Sequence, residues 1–385
     1  MRILLVNDAS GVHQYLRRGL EELGHDVVLA VHGSGNYQSR HADVHFGVVG
    51  QSFKARARRA IEPVRKLREL GGFDLANYQL GLTLFGSPIN RYADLRLLKA
   101  SGTRLSYYGL GCDEASLLRV RSDVKNLPCC KGCIMYDEIG QSCEKLRLNT
   151  RPRASRSARL FDFAVSAAYI YDHGLDFFPH AKKAKIQFPI DVRSLEFSPA
   201  QSRSITRIVH SPTRAGFKGT SSIVDAMRAL AERRDDFEFR IVQGLSHTDY
   251  IKTMKDCDIY IDQVFSADSF GIAALENMAC GKVVVSGNGP LGWGSFPFMR
   301  EAPVVRAAAE PSVLAGVLSD LLERKSDFPK LASQGRDYVL LHHDHVAVSE
   351  RFLSLWSGDA RLGASNECGN GPVSEPPRVS RRLQL

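Results

Sequence analysis

Short apolar runs alternate with longer amphipathic segments from the first residues of the chain onward. Residues 2–7, 27–31, 44–49, 74–78 and 104–108 read as strands, with helical periodicity over 13–23, 54–68 and 91–100 between them. Such alternation with short connections predicts a doubly wound parallel sheet. After residues 112–159, which carry no comparable rhythm, the pattern resumes with a strand at 161–166, a short helix from Ala167 and a strand at 185–188. The segment Phe188-Pro-Ile-Asp-Val-Arg-Ser-Leu-Glu-Phe-Ser-Pro199 holds two prolines and no clear period, so it reads as a linker.

Beyond it the rhythm restarts, with strands at 207–211, 237–242 and 258–262 and helices at 219–233 and 248–255. A loop, an almost uncharged helix and a buried strand then occupy 268–286, followed by a strand at 304–305 and helices at 311–324 and 346–356. The expected organisation is a first Rossmann-like domain over 1–188 with a cysteine-rich insertion at about 112–159, a linker at 189–200 and a second Rossmann-like domain over 201–343. A helix at 344–357 is expected to pack back on the first domain, and a tail at 358–385, rich in Gly, Ser, Pro and Arg, to be disordered. In open α/β sheets ligands bind outside the carboxyl ends of the strands. Loops 8–11, 108–113, 212–219, 244–245 and 268–271 all follow strands and would line one cleft if the domains face each other.

Composition changes this picture little. At 385 residues, 44% apolar and 24% charged, the chain is an ordinary globular sequence long enough for two cores, with no apolar run of the roughly 18 residues that a span needs. The amino terminus reads as a strand rather than a signal peptide, so the expected location is the cytoplasm. A net charge of +9 favours acidic partners, though no nucleic-acid partner is expected. Much of the excess lies in the helix that begins at Lys54 and ends at Arg68, where Glu62 is the only acid. It reads either as a solvated surface helix or as a peripheral docking face for an anionic membrane on its cytoplasmic side.

The candidate chemistry lies in the second half. Asp268 and Glu276 bracket a helix start at which the N–H groups of Ser269, Phe270 and Gly271 would favour a phosphate. Pro212-Thr-Arg-Ala-Gly-Phe-Lys-Gly-Thr220 reads either as a flexible basic loop or, with Arg214 and Lys218 where a cationic clamp on a diphosphate would belong, as a phosphate site in place of a metal ion.

These residues carry a family resemblance. Asp268-Ser-Phe-Gly-x-x-x-x-Glu276-x-Met-Ala-x-Gly-Lys-x-Val-Val resembles the signature of the retaining, family-4-type glycosyltransferases of the GT-B fold. Lys218-Gly219, and Phe188-Pro-Ile-Asp191 leading to Phe197-Ser-Pro, are similar to that family too. The resemblance implies a GT-B fold of two Rossmann-like doubly wound domains facing a central cleft, and metal-independent transfer of a sugar from a nucleotide-sugar donor with retention. It implies that Glu276 holds the donor ribose and Asp268 the sugar hydroxyls, while Lys218, Arg214 and the amides of Ser269, Phe270 and Gly271 hold the diphosphate. Gly11 matches a glycine loop brought near the donor phosphates and the acceptor, and Gly244 and Leu245 stand where a base would be read. A glycan or lipid-linked acceptor in surface-polysaccharide synthesis is the expected pathway. Three departures stand out, one being that Arg214 and Lys218 lie closer in sequence than is usual in the family. Asp268 replaces the commoner Glu, shortening its reach by roughly 1.5 Å, and Tyr107-Tyr-Gly-Leu-Gly-Cys-Asp113 lacks the histidine often found there, leaving Tyr108 or Asp113 as candidates. Two other readings fit the same architecture: a scaffold that binds without transfer, and a nucleotide-sugar epimerase. A Rossmann dehydrogenase fits less well, because Asn7-Asp-Ala-Ser-Gly-Val-His13 lacks the G-x-G-x-x-G spacing.

Five of the eight cysteines, Cys112, Cys129, Cys130, Cys133 and Cys143, fall in the insertion. In a cytoplasmic chain Cys130-x-x-Cys133 with Cys112 and Cys143 within reach suggests a structural zinc site rather than disulfides, beside the alternatives of adventitious clustering and a redox role. If zinc staples the insertion, protein purified without added metal is expected to carry it stoichiometrically and Cys133→Ser to lose it. Elemental analysis finding none in the parent would end the idea.

Overall fold

The computed structural model describes residues 1–8, 10–32, 41–48, 53–85, 90–113, 115–116, 130–131, 151–265, 270–289 and 297–358, with backbone alone at 53–57, 151, 169 and 170. Asp268, Ser269, Cys129, Cys133, Cys143 and the tail from 359 onward lie outside the described residues.

Within them, two wholly parallel sheets form. The first has the order β3-β2-β1-β4-β5-β6-β7, built from β1 Arg2–Val6, β2 Asp26–Val31, β3 Val44–His45, β4 Leu75–Tyr78, β5 Arg104–Gly109, β6 Phe163–Ser166 and β7 Lys182–Lys185. Its helices are α1 Val12–Glu22, α2 Phe53–Glu69, α3 Ala93–Ala100, α4 Arg151–Ala158 and α5 Tyr169–Asp172. The second sheet has the order β12-β11-β10-β8-β9, built from β8 Thr206–His210, β9 Phe237–Ile241, β10 Ile259–Ile261, β11 Val283–Gly287 and β12 Val305–Ala307. Helices α6 Ala215–Lys218, α7 Thr220–Ala231, α8 His247–Met254, α9 Ile272–Ala279, α10 Pro311–Glu323, α11 Phe328–His343 and α12 His345–Ser357 follow. In each sheet the chain winds outward one way and then returns to wind the other. The reversal falls between β1 and β4 in the first sheet and between β8 and β10 in the second, the positions where such folds bind ligands.

The central strands are apolar on both faces because both are covered. In β1, Ile3 and Leu5 enter one core and Leu4 and Val6 the opposite one. In β10, Ile259 and Ile261 face one core and Tyr260 the other. Two segments depart from the sequence pattern. The last strand of the first sheet is the lysine-rich run Lys182–Lys185 rather than 185–188, as suits an edge, while Ile186 is buried under α12. Helix α11 has no counterpart among the predicted elements. Its buried stripe is Phe328, Ala332, Gly335, Tyr338, Val339 and His343, and Gly335 lies against Met278 of α9, so small residues allow close approach between bulkier apolar ones.

Two chain crossings join the domains, and they are hydrogen-bonded to each other. The N–H of Ile190 donates to the carbonyl of His343 (2.7 Å) and the N–H of His345 donates to the carbonyl of Ile190 (3.1 Å). His343 is buried, its Nδ1 2.9 Å from the Phe188 carbonyl. Asp344 then caps α12 through the N–H groups of Val346 and Ala347. Helix α12 runs back over the first sheet, where Trp356 is fully buried and donates from Nε1 to Ser106 (3.1 Å), and Phe352 meets Tyr108 edge-on at 4.9 Å. It packs on α1 at Gly19, where a Cβ would fall 2.3 Å from both the His345 carbonyl oxygen and Ser349 Oγ. Gly19→Ala is therefore expected to cost about 1–3 kcal/mol in overpacking, more than the ~1 kcal/mol that alanine gains over glycine in a helix. A lower urea midpoint with unchanged slope would show it, and a midpoint at or above the parent's would refute the close α1–α12 contact.

Candidate functional site

The second-domain switch point is organised by a residue absent from the candidates above. Asp262 follows β10, and its side chain has no exposure to solvent. A carboxylate in that position needs partners for both oxygens. Lys218 Nζ, at the end of α6, donates to Oδ1 at 2.8 Å, and the N–H of Gly271, at the start of α9, donates to Oδ2 at 2.8 Å. One carboxylate thus joins the loop after β8 to the helix after β10. Gly219 makes the approach possible, with φ +78° and a Cβ position only 2.7 Å from the Phe265 ring. The Gly271 amide, expected to face a phosphate, is engaged by Asp262 in this structure. The signal for Asp262 was available: a carboxylate directly after an apolar strand, at the same sheet edge as Lys218.

Glu276 lies one turn into α9, its side chain only 4% exposed. Its Oε1 accepts from the Tyr15 hydroxyl at 2.8 Å and from His247 Nε2 at 2.7 Å. Tyr15 belongs to α1 and so comes from the first domain. His247 opens α8 directly after its cap Ser246 and is 56% exposed. The hydrogen bond to Glu276 raises the His247 pKa, against burial that lowers it. Gly244 and Leu245 are exposed three and two residues before His247, with Gly244 at φ +73°, so the loop after β9 meets Glu276 through the histidine. Neither Tyr15 nor His247 carried a signal in sequence, since each gains its meaning from a partner hundreds or tens of residues away.

The first-domain switch point supplies the opposite wall. Asn7, Ser10 and Gly11 all have positive φ in the turn from β1 to α1, where Gly11 is the N-cap and open space surrounds its Cβ position. Asp8 is buried and accepts the His13 N–H at 2.9 Å; burial pushes its carboxyl up to about 7. His13 is wholly buried, its Nδ1 2.6 Å from the Asn7 carbonyl and its Nε2 3.4 Å from Asn77 Nδ2, and burial pushes it down to about 3. At the end of β5 both substitutes for the family histidine are held internally. Tyr108 donates to the Gln187 carbonyl (2.9 Å), and Asp113 accepts from Tyr107 (2.9 and 3.0 Å) and from the Ser116 N–H (3.1 Å). Arg214 lies with its guanidinium 4.3 Å over the Phe217 ring, and the Phe270 side chain is in the core, edge-on to Tyr338. Cys112 and Cys130 are half-buried, and among the described residues no group of three or more potential ligands is placed to hold a metal ion.

Scanning the sequence against protein-family models gives no match, and a search of curated proteins gives none either. Solved structures do match. Sucrose-phosphate synthase from Thermosynechococcus elongatus is similar over 93% of this chain and 98% of its own, at 15% identity and a TM-score of 0.60. Anabaena HepE in complex with UDP and glucose is similar over 93% and 100%, at 14% identity and a TM-score of 0.59. UDP-GlcNAc 2-epimerase from Neisseria meningitidis bound to UDP-GlcNAc is similar over 93% and 100%, at 11% identity and a TM-score of 0.54. Identities this low speak of fold, and the fold is GT-B: two Rossmann-like domains, one parallel sheet each, facing a cleft.

Three histidines make the fold acid-labile. Burial holds His13 at about 3, His210 at about 4 and His343 at about 3. Each folded value lies below the unfolded value near 6.5. The stabilisation from a neutral ring is therefore complete above 6.5 and is lost as pH falls toward the folded value. Asp8 acts the other way, because its raised carboxyl keeps a proton that the unfolded chain releases. From these four groups the net uptake on unfolding is about two protons between pH 6 and 4.5, a loss of about 3 kcal/mol per pH unit. Urea midpoints followed from pH 7 to 5 should fall accordingly and His343→Gln should flatten the slope; a midpoint independent of pH would contradict the buried neutral rings.

Proposed function

We propose that the protein transfers a sugar from a nucleotide-sugar donor to a glycan or lipid-linked acceptor, with retention and without a catalytic metal. The observation that carries this reading is the pairing, at one sheet edge facing the other domain, of Lys218 held by Asp262 with Glu276. Among the described residues nothing donates to Glu276 Oε2, which leaves it to accept a ribose hydroxyl. Lys218 is positioned to stabilise the charge that builds on a departing diphosphate, where a fixed cation acts most strongly. Arg214, Gly11, Gly244, Leu245, Asp268, Ser269 and Phe270 keep the donor-binding roles that the resemblance implies, whereas the Gly271 amide is taken by Asp262. HepE with UDP-glucose supports the donor class by likeness of fold. The epimerase neighbours favour a second reading, rearrangement of the donor sugar without an acceptor.

Turnover of a nucleotide-sugar panel tests these readings together. The parent is expected to consume a donor, and Glu276→Ala to lower kcat/KM by about 100-fold. Removing Lys218 alone would strand the buried Asp262 charge at about 3–5 kcal/mol, so Lys218→Ala should be compared with Lys218→Ala/Asp262→Asn, and both should be impaired while folded. Binding without turnover supports the scaffold instead, a new sugar nucleotide formed with no acceptor supports the epimerase, and no consumption of any donor refutes transfer.

Peripheral membrane docking through the helix from Lys54 to Arg68 belongs to the same proposal. In α2, Glu62 pairs with Arg58 and Lys66 at 3.0 and 3.5 Å, while Ile61 stands 68% exposed beside exposed Arg65 and Arg68. Sedimentation with anionic vesicles is expected at low salt and to fade at high salt; no binding at low salt removes the helix from the proposal.

A further inference from the structure

Glu276 is held from both domains through a single oxygen. Tyr15 of α1 and His247 of α8 both donate to Oε1. The Tyr15 ring is 5% exposed and packs in the second domain's core with Met278 and Cys280, although its helix belongs to the first domain. Its hydroxyl therefore reaches Glu276 only while the two domains are closed on each other. On the other side, His247 opens a capped helix, so its ring has a fixed origin. Two donors from different elements restrict the rotamer of a carboxylate that would otherwise have to be ordered by its ligand.

We propose that Tyr15 and His247 are positioning residues that preset Glu276 for a ribose hydroxyl, and that the Tyr15 contact couples nucleoside diphosphate binding to closure of the cleft. The inference rests on the nucleotide-sugar reading above. The groups that face His247 are Glu276 from α9, Arg18 from α1, Asp8 from the β1–α1 turn and Tyr250 from its own helix. Arg18 opposes the imidazolium and the two carboxyls favour it. The raised pKa places the charged form of His247 on Glu276 at lower pH, and this ionic part of the clamp is lost as pH rises through that value. The neutral ring keeps the hydrogen bond alone.

Calorimetric titration with UDP, ADP and GDP tests the idea, the tightest of the three serving as probe. Tyr15→Phe keeps the ring packed and removes one donor, and His247→Ala removes the other from a half-exposed position; each is expected to weaken binding about tenfold. His247→Gln, which keeps an amide donor, should recover most of that loss and also abolish the weakening of parent binding with rising pH. Small-angle scattering should show ligand-free Tyr15→Phe more open than the parent and His247→Ala unchanged. Parent affinity in both Tyr15→Phe and His247→Ala overturns the positioning role and leaves nucleotide binding intact, whereas no heat with any nucleotide in the parent overturns the nucleotide reading and the inference with it. Equal dimensions for Tyr15→Phe and the parent overturn the coupling to closure.

Discussion

A carboxylate without contact to water is tolerable only where cations or N–H groups meet it on every side, and Asp262 imposes that condition on the second domain. Its two oxygens set the end of α6 and the beginning of α9 relative to β10. Because β8 and β10 are neighbours in the sheet, this bond spans the point where the winding reverses. Lys218, Gly219 and Gly271 therefore occupy fixed places around one charge. The position of Glu276, one turn further along α9, follows from theirs.

The same economy governs the junction between domains. Ile190 uses both of its backbone groups on the returning chain, and Asp344, beside it, turns that chain into α12. Helix α12 and α1 approach at Gly19, while Arg18 and Glu22 of α1 pair with Asp191 and Arg193 of the linker. Helix α1 thus contacts the linker, the returning helix and, through Tyr15, the proposed donor site. A displacement of the first domain would be felt at Glu276 through a helix that has few independent ways to move.

The buried histidines show how polar groups serve this architecture without entering its chemistry. His210 bridges the Ile261 carbonyl and Thr220, and His13 bridges the Asn7 carbonyl and Asn77, each close to a switch point. Their neutral rings brace loops where backbone carbonyls leave the sheet. Exposed His247 differs, because its partner is a carboxylate and its pKa moves the opposite way.

The alternation of apolar strands and amphipathic helices already determined two parallel α/β units, since strand burial on both faces is written locally as runs such as Ile3–Val6 and Val283–Val285. The segment at 188–199 reads as a linker through its two prolines and lack of a period. Helix α11 was not legible, because Ala332, Gly335 and His343 interrupt the apolar stripe of Phe328, Tyr338 and Val339. Among the candidate residues, Lys218 and Glu276 stood out through spacing and residue type. Of their partners, Asp262 offered a signal as a carboxylate ending an apolar strand, whereas Tyr15 reads as one more apolar position on α1 and His247 as a helix-start residue. Only the tertiary structure brings these three to their partners, because hydrogen bonds across 261, 44 and 29 residues depend on how sheets wind and domains meet, and no local pattern encodes that.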